Sequence, residues 1–364
     1  MAGTMRYTRR AAGVVTAVAL LVGCGSTPKQ PPPAAGSPQS GSTVVHGIGG
    51  AEAAPLFQEV GNRLLGSGTT LNYQLVGGVR VTSALRRSSV SFVAAQTSRP
   101  LGDLPRLNDS AEIVVPVAFG GVAVIYHLPG LRKPLRLRGG VIAAIFQERI
   151  KRWNDRRIRH DNPAVPLPAT TITVVHRADP NSASELFTAY LAASSHRWQR
   201  QTGSGLTVNW PAGTAVPDDA TMRQVIGSAP GAIGYTDQAT ALRNHLPSAR
   251  LRTPTGEFVG PSLRATSAVG DQPLVPADLS MPTIGTRVPG AYPITSEQYV
   301  LTLRDLCTAG RSQAEEEAVR HVLLYLLGKG QSVARQLLLA PLPGHLRGEA
   351  RRAVRSMHCG SGTV

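Results

Sequence analysis

The sequence predicts an α/β protein built in two lobes. Short apolar, β-branched runs alternate with stretches of helical spacing along the chain. The part that reads as folded, about 320 residues, also exceeds what one compact core usually uses.

In chain order, Val44-Val45 reads as a strand entering a glycine turn, Gly47-Ile48-Gly49-Gly50. Residues 52–65 have helical spacing, with Leu56, Val60 and Leu64 on one face. Residues 71–76 form a strand that meets Gly77-Gly78, 81–87 a helix and 90–94 a strand. Residues 113–119 and 122–126 read as two strands crossing toward the second lobe. A helix over 139–149 places Ile142, Ile145 and Phe146 together, and a strand follows at 172–175. Ser182 opens a helix through residue 191. Gly231-Ala232-Ile233-Gly234-Tyr235 is a strand whose glycines admit close backbone approach. Residues 274–293 are proline-rich and irregular. A strand at 299–303 and helices at 314–327 and 331–339 complete the reading, and the tail after Arg351 has little to hold it. There is no fixed-period repeat.

The N-terminus carries export features. Arg6, Arg9 and Arg10 precede a charge-free run over 11–22 in which only Thr16 is polar. A dozen residues cannot cross a hydrocarbon layer of about 30 Å as a helix, and the pattern is that of a signal peptide. The run ends in Leu21-Val22-Gly23-Cys24, which resembles a bacterial lipobox. Residues 1–23 then form a lipoprotein signal peptide, and Cys24 carries lipid that holds the protein to the outer side of the cell membrane. The alternative is an ordinary signal peptide with Cys24 there by chance. Residues 24–43, rich in Pro, Ser and Gly, form a disordered tether.

The chain has 38 Lys and Arg against 22 Asp and Glu, a net charge of +16. Without Arg6, Arg9 and Arg10 about +13 remains, a balance that attracts anions. No basic cluster is interleaved with aromatics, which argues against nucleic acid. Beyond Cys24 the cysteines are Cys307 and Cys359. In an oxidising compartment they can pair; otherwise one is a buried thiol and the other a free tail thiol. There is no G-x-S-x-G, no H-E-x-x-H and no ligand spacing among the nine His, so no enzyme, cofactor or metal is expected.

Several stretches, taken together, resemble one family. They are Gly47-Ile48-Gly49-Gly50-Ala51-Glu52-Ala53-Ala54-Pro55-Leu56-Phe57, Asn72-Tyr73-Gln74, Trp153-Asn154-Asp155, Ile172-Thr173-Val174-Val175-His176-Arg177-Ala178-Asp179, Trp210-Pro211-Ala212-Gly213, Gly231 to Tyr235 and Ala291-Tyr292-Pro293-Ile294. Their order and spacing are similar to the phosphate-binding proteins of bacterial ABC importers. The resemblance implies a two-lobed periplasmic-binding-protein fold of type II, with a ligand cleft between lobes that close by a hinge. It implies crossovers near residues 120 and 290. Lobe 1 would take 44–120 and 290–364, and lobe 2 would take 121–289. The implied partners are phosphate or a similar oxyanion and the membrane permease subunits.

Phosphate recognition asks for an arginine, helix N-termini with free N–H groups, and a carboxylate that accepts the ligand's proton and repels fully ionised sulfate. By resemblance, Arg177 is the anion contact and Asp179 orients it. Asn181, Ser182 and Ala183 follow where the family supplies donors, though Ser182 and Glu185 form a capping-box pattern that would occupy the helix N–H groups. Ala51, Glu52 and Gly78 stand in the other two loops where the family carries different residues. Gln96 stands where the acidic acceptor should be, followed by Thr97-Ser98-Arg99. With Gln96 and Arg99 in the cleft, discrimination between phosphate and sulfate should be weak. Two functions follow from this pattern. One is a phosphate or oxyanion receptor for an importer. The other is a diverged module that has lost its ligand and serves as an envelope sensor or scaffold.

Overall fold

The computed structural model describes residues 41–76, 85, 90–97, 111–131 and 133–360. The expected signal peptide, Cys24 and nearly all of the expected tether lie outside the described residues, as do Gly77, Gly78, Ser98, Arg99 and all of the expected 81–87 helix except Leu85.

The strands are β1 (Thr43–Gly49), β2 (Thr69–Leu75), β3 (Phe92–Thr97), β4 (Glu112–Tyr126), β5 (Arg136–Leu137) and β6 (Thr173–Arg177). They continue with β7 (Thr214–Val216), β8 (Ala232–Asp237), β9 (Arg250–Arg252), β10 (Phe258–Val259) and β11 (Thr295–Leu303). The helices are α1 (Ala54–Leu64), α2 (Gly139–Phe146), α3 (Arg156–Asp161), α4 (Ser182–Ser194), α5 (His196–Gln201) and α6 (Asp219–Ser228). They end with α7 (Gln238–Arg243), α8 (Leu263–Ser267), α9 (Gln313–Leu326), α10 (Gly330–Gln336) and α11 (Gly344–Arg355).

Strand β4 joins the lobes. Eight strands run in the order β2-β1-β3-β11-β4-β8-β6-β7. The first half of β4 pairs antiparallel with β11, and its second half, Val122 to Tyr126, pairs antiparallel with β8. The two strands expected over this stretch are therefore one strand of 15 residues. Gly120-Gly121 does not break it. A Cβ at Gly121 would fall 2.8 Å from Gln238 Oε1 and 2.9 Å from the Ile294 carbonyl, so glycine there admits the second crossover segment.

Each lobe has its own core. In the first, Leu56, Phe57 and Val60 of α1 pack with Val319, Val322 and Leu323 of α9 under β1 and β4; Leu279 and Met281 join them. In the second, Ile142, Ile145 and Phe146 of α2 pack with Phe187 of α4, Trp153, Trp198 and Tyr235. Full burial of one such side chain contributes about 1.5–3 kcal/mol. Trp153 Nε1 donates to the Gly231 carbonyl at 3.0 Å, which ties the Trp-Asn-Asp stretch to the start of β8.

Several boundaries differ from the sequence reading. Gly47 and Gly49 lie inside β1, where a Cβ would strike the Phe92 ring or the Ala94 carbonyl, each at 2.2 Å. The helix expected over 139–149 stops at Phe146, before Glu148 at φ 51. The chain after Arg351 is held by α11, which buries Leu346, Ala350 and Val354, and by Met357 beyond it. Among the described residues no helix is long and apolar enough to cross a membrane.

Candidate functional site

Parallel pairing of β1 with β2 and β3, and of β6 with β7 and β8, points these strands' carboxyl ends at shared regions. In open α/β sheets ligands bind outside such ends. A cavity of about 590 Å³ lies there. It collects Ala51 and Glu52 after β1, Gln96 on β3, and Arg177, Asp179, Asn181, Ser182 and Ala183 from the end of β6 into α4. Every sequence-predicted ligand residue except Gly78, which is outside the described residues, thus lines one space.

Arg177 is the cationic side chain lining this cavity among the described residues. Its Nε and Nη2 donate to the two Asp179 oxygens at 2.7 and 2.6 Å, and Nη1 donates to Asp219 Oδ1 at 2.6 Å. The side chain is 10% exposed. Burial works against its charge, but Asp179 and Asp219 outweigh that and raise its pKa. Its backbone N–H donates to Tyr235 Oη, which also shares a 2.6 Å bond with Ser184 Oγ. Phe187 stacks on Tyr235 at 4.4 Å. Apolar packing beneath the arginine thus fixes where it stands.

Helix α4 is capped by Asn181, not by Ser182. Asn181 is in extended backbone and its Oδ1 accepts from the Ser184 N–H at 2.8 Å. Its own N–H is held by the Leu206 carbonyl, and its Nδ2 by the Asp179 carbonyl. These bonds pin Asn181 outside the helix and place Ser182 at the first helical position. The cap satisfies only the third N–H, so those of Ser182 and Ala183 have no partner among the described residues. Two free donors at a helix N-terminus, next to an arginine, form an anion-binding arrangement.

Carboxylates surround it. Glu52, Asp179, Glu185, Asp219 and Asp237 all line the cavity. A Cβ on Gly50 would lie 2.4 Å from the Glu52 oxygens, so the Glu52 carboxyl folds over the first loop. Burial raises its pKa, partly offset by a bond from its own backbone N–H. Asp237 at the end of β8 is pushed up to about 7 by burial, by the Asp219 charge and hydrogen bond, and by Glu52. Asp237 therefore holds a proton near neutrality. Sequence reasoning missed Asp219 and Asp237, and it missed that carboxylates stand near Gln96. Among the described residues that side chain accepts only a 3.4 Å contact from Ser296 Oγ.

Two lobes joined by a shared strand, with donors and carboxylates converging in one cleft, define a protein built to enclose a small solute. Residues 37–318 match the model of the PBP superfamily domain, and the chain belongs to that family. It is 28% identical over 312 residues to the phosphate-binding protein PstS of Xylella fastidiosa strain Temecula1, covering 85% of this chain and 84% of the relative. It also resembles the solved structure of an ABC-type phosphate transport receptor from Vibrio cholerae. That match has a TM-score of 0.57 at 13% identity over 83% of this chain and 100% of the other. A high-affinity periplasmic phosphate-binding protein, PfluDING, gives a TM-score of 0.60 at 18% identity over 85% of this chain and 93% of the other.

Proposed function

We propose that the chain captures inorganic phosphate, or a closely related oxyanion, for an ABC importer, working from a lipid anchor at Cys24 outside the cell membrane. The observation that carries this is the convergence of Arg177 with the free N–H groups of Ser182 and Ala183 on one cleft. The relatives named for phosphate binding support the same solute.

Phosphate oxygens take the two N–H groups at the start of α4 and the arginine N–H groups that Asp179 and Asp219 leave free. The ligand's O–H needs an acceptor, and an ionised carboxylate of the cleft supplies it in place of Gln96. Five carboxyl groups around one arginine disfavour an anion that has no proton to share. On this reading sulfate is rejected, contrary to the weak discrimination expected from Gln96 together with Arg99. Calorimetry with phosphate and sulfate tests it; equal affinity for both would contradict it.

One observation favours the ligand-free scaffold instead. Glu52 already lies over the first loop, and Arg177 is already paired with two carboxylates. Absence of oxyanion binding at any pH from 5 to 8 would move the assignment there. The anchor has its own test: Cys24→Ala should be released or left unprocessed, and retention in the membrane after signal cleavage would rule the anchor out.

A further inference from the structure

The cleft does not end at Arg177 and the start of α4. It continues into a second chamber of about 190 Å³, and the residues that line both are Ala51, Glu52, Gln96 and Asp237. They come from the loop after β1, the end of β3 and the end of β8. Gly120 and Gly121 of β4 line the second chamber as well. A Cβ on Gly120 would lie 3.3 Å from both Gln298 Nε2 and Ser296 Oγ, so bare backbone there leaves the chamber its room.

Glu52, Gln96 and Asp237 bring three acceptors to this junction, and no cation answers them. Arg177 is taken by Asp179 and Asp219. Arg243 lines the second chamber but is exposed. Neither Glu52 nor Asp237 has a salt bridge among the described residues. Gln96 Oε1 accepts only the 3.4 Å contact from Ser296 Oγ among the described residues. Carboxylates withdrawn from water are normally paired with a cation.

The surroundings indicate which cation fits. Among the described residues no three of the cleft carboxylates bring oxygens within 4.8 Å of one another, as a metal ion held by them would need. A primary ammonium carries one charge and three N–H donors, which two carboxylates and an amide oxygen satisfy. Asp237 hydrogen-bonds Asp219, which accepts from Arg177 Nη1 at 2.6 Å. The arginine and the junction are thus separated by one carboxyl group and its hydrogen bonds, a span that a short alkyl chain covers. Beyond the junction, Pro55, Val122, Leu186, Leu337 and Leu339 offer apolar surface to hydrocarbon. Inorganic phosphate would use none of this.

Resting on the reading of the cleft as an oxyanion site, we propose that its preferred ligand is a zwitterion, the phosphate monoester of a short amino alcohol. The phosphate sits on Arg177 and the Ser182 and Ala183 N–H groups. The ammonium sits at the junction and donates to Glu52, Asp237 and Gln96. The carboxylates that repel a bare oxyanion then become partners of the same ligand's other end.

Calorimetry of the full chain tests this with O-phosphoethanolamine, inorganic phosphate and 2-hydroxyethyl phosphate, in which a hydroxyl replaces the ammonium. Phosphoethanolamine should bind at least tenfold more tightly than 2-hydroxyethyl phosphate. Glu52→Ala and Asp237→Asn should each weaken phosphoethanolamine several-fold while leaving 2-hydroxyethyl phosphate unchanged or tighter, a divergence that misfolding cannot produce. Arg177→Ala should weaken all three ligands. Equal affinity for the two esters would overturn the proposal, and so would parallel changes for both in the carboxyl variants; phosphate binding in the same series would leave the oxyanion reading standing. Binding of none of the three would overturn that reading and the proposal with it.

Discussion

Asp219 Oδ1 lies 2.6 Å from Arg177 Nη1, closing a guanidinium whose other edge is already bonded to both oxygens of Asp179. The arginine is held rigidly and its charge is more than balanced before any ligand arrives. On the proposed assignment, an arriving oxyanion gains from a fixed donor but meets a negative field, and its affinity should follow how many carboxyl groups are ionised.

Glu52 should act as a tethered competitor. Its carboxyl folds over Gly50, where the first loop would otherwise face an anion. One like charge within about 6 Å at an effective dielectric constant of about 20 is worth about 3 kcal/mol, and burial, which raises the Glu52 pKa, weakens that repulsion. Glu52→Ala should raise phosphate affinity by about tenfold. Unchanged or weaker binding by calorimetry would mean the carboxyl helps the ligand.

Asp237 should make binding pH-sensitive. Its carboxyl is neutral below about 7 and adds negative charge above it. Oxyanion affinity should therefore fall as pH rises through about 7. Phosphate itself titrates in this range, so the pH profile of Asp237→Asn is run beside that of wild type, and the difference between them isolates the side chain. Asp237→Asn should flatten the fall. An identical pH profile in wild type and variant would rule out this role.

Much of this was legible in the sequence. The buried face of α1 announces itself by helical spacing, and β6 and β8 by short apolar runs, because α1 buries one side and these central strands bury both. Arg177 and Asp179 were reached through the family resemblance, which the stretch from Ile172 to Asp179 carries. Asp219 and Asp237 gave no such signal: they come from other strand ends, and only the sheet order places them beside Arg177. Asn181 and Ser182 are both good caps, and the choice fell to Asn181 through the Leu206 carbonyl, a partner remote in sequence. Helix α11 was missed because Leu346, Ala350 and Val354 are sparse among Arg347, Arg351, Arg352 and Arg355.

Glu297 should limit stability at neutral pH. It is fully buried, accepts from the Met281 N–H at 3.0 Å, and burial pushes its carboxyl up to about 8. A carboxyl with a raised folded pKa binds its proton more tightly in the folded state. Its contribution is thus fully present below about 4.5 and is lost as pH rises toward about 8, by about 1.4 kcal/mol per pH unit. Glu297→Gln should be more stable than wild type at pH 8 and lose most of that advantage by pH 5. Denaturant unfolding showing a pH-independent difference would contradict it.

Cys307 and Cys359 lie with their Cα atoms 5.1 Å apart across 52 residues. A bridge closing such a loop restricts the unfolded chain by about 4 kcal/mol in the simplest entropy model. Because α11 is anchored in the core, Cys307→Ser with Cys359→Ser should fold but unfold at a lower temperature. Finding both thiols free in the exported protein would exclude the bridge.

The most direct test is calorimetric titration of the wild type and Arg177→Ala with phosphate and sulfate at pH 6.5. Wild type should bind phosphate well ahead of sulfate. Arg177→Ala should lose at least tenfold, because hydrogen bonds from a charged donor contribute about 1.5–3 kcal/mol each. Phosphate binding that survives Arg177→Ala unchanged would contradict the assignment of the cleft.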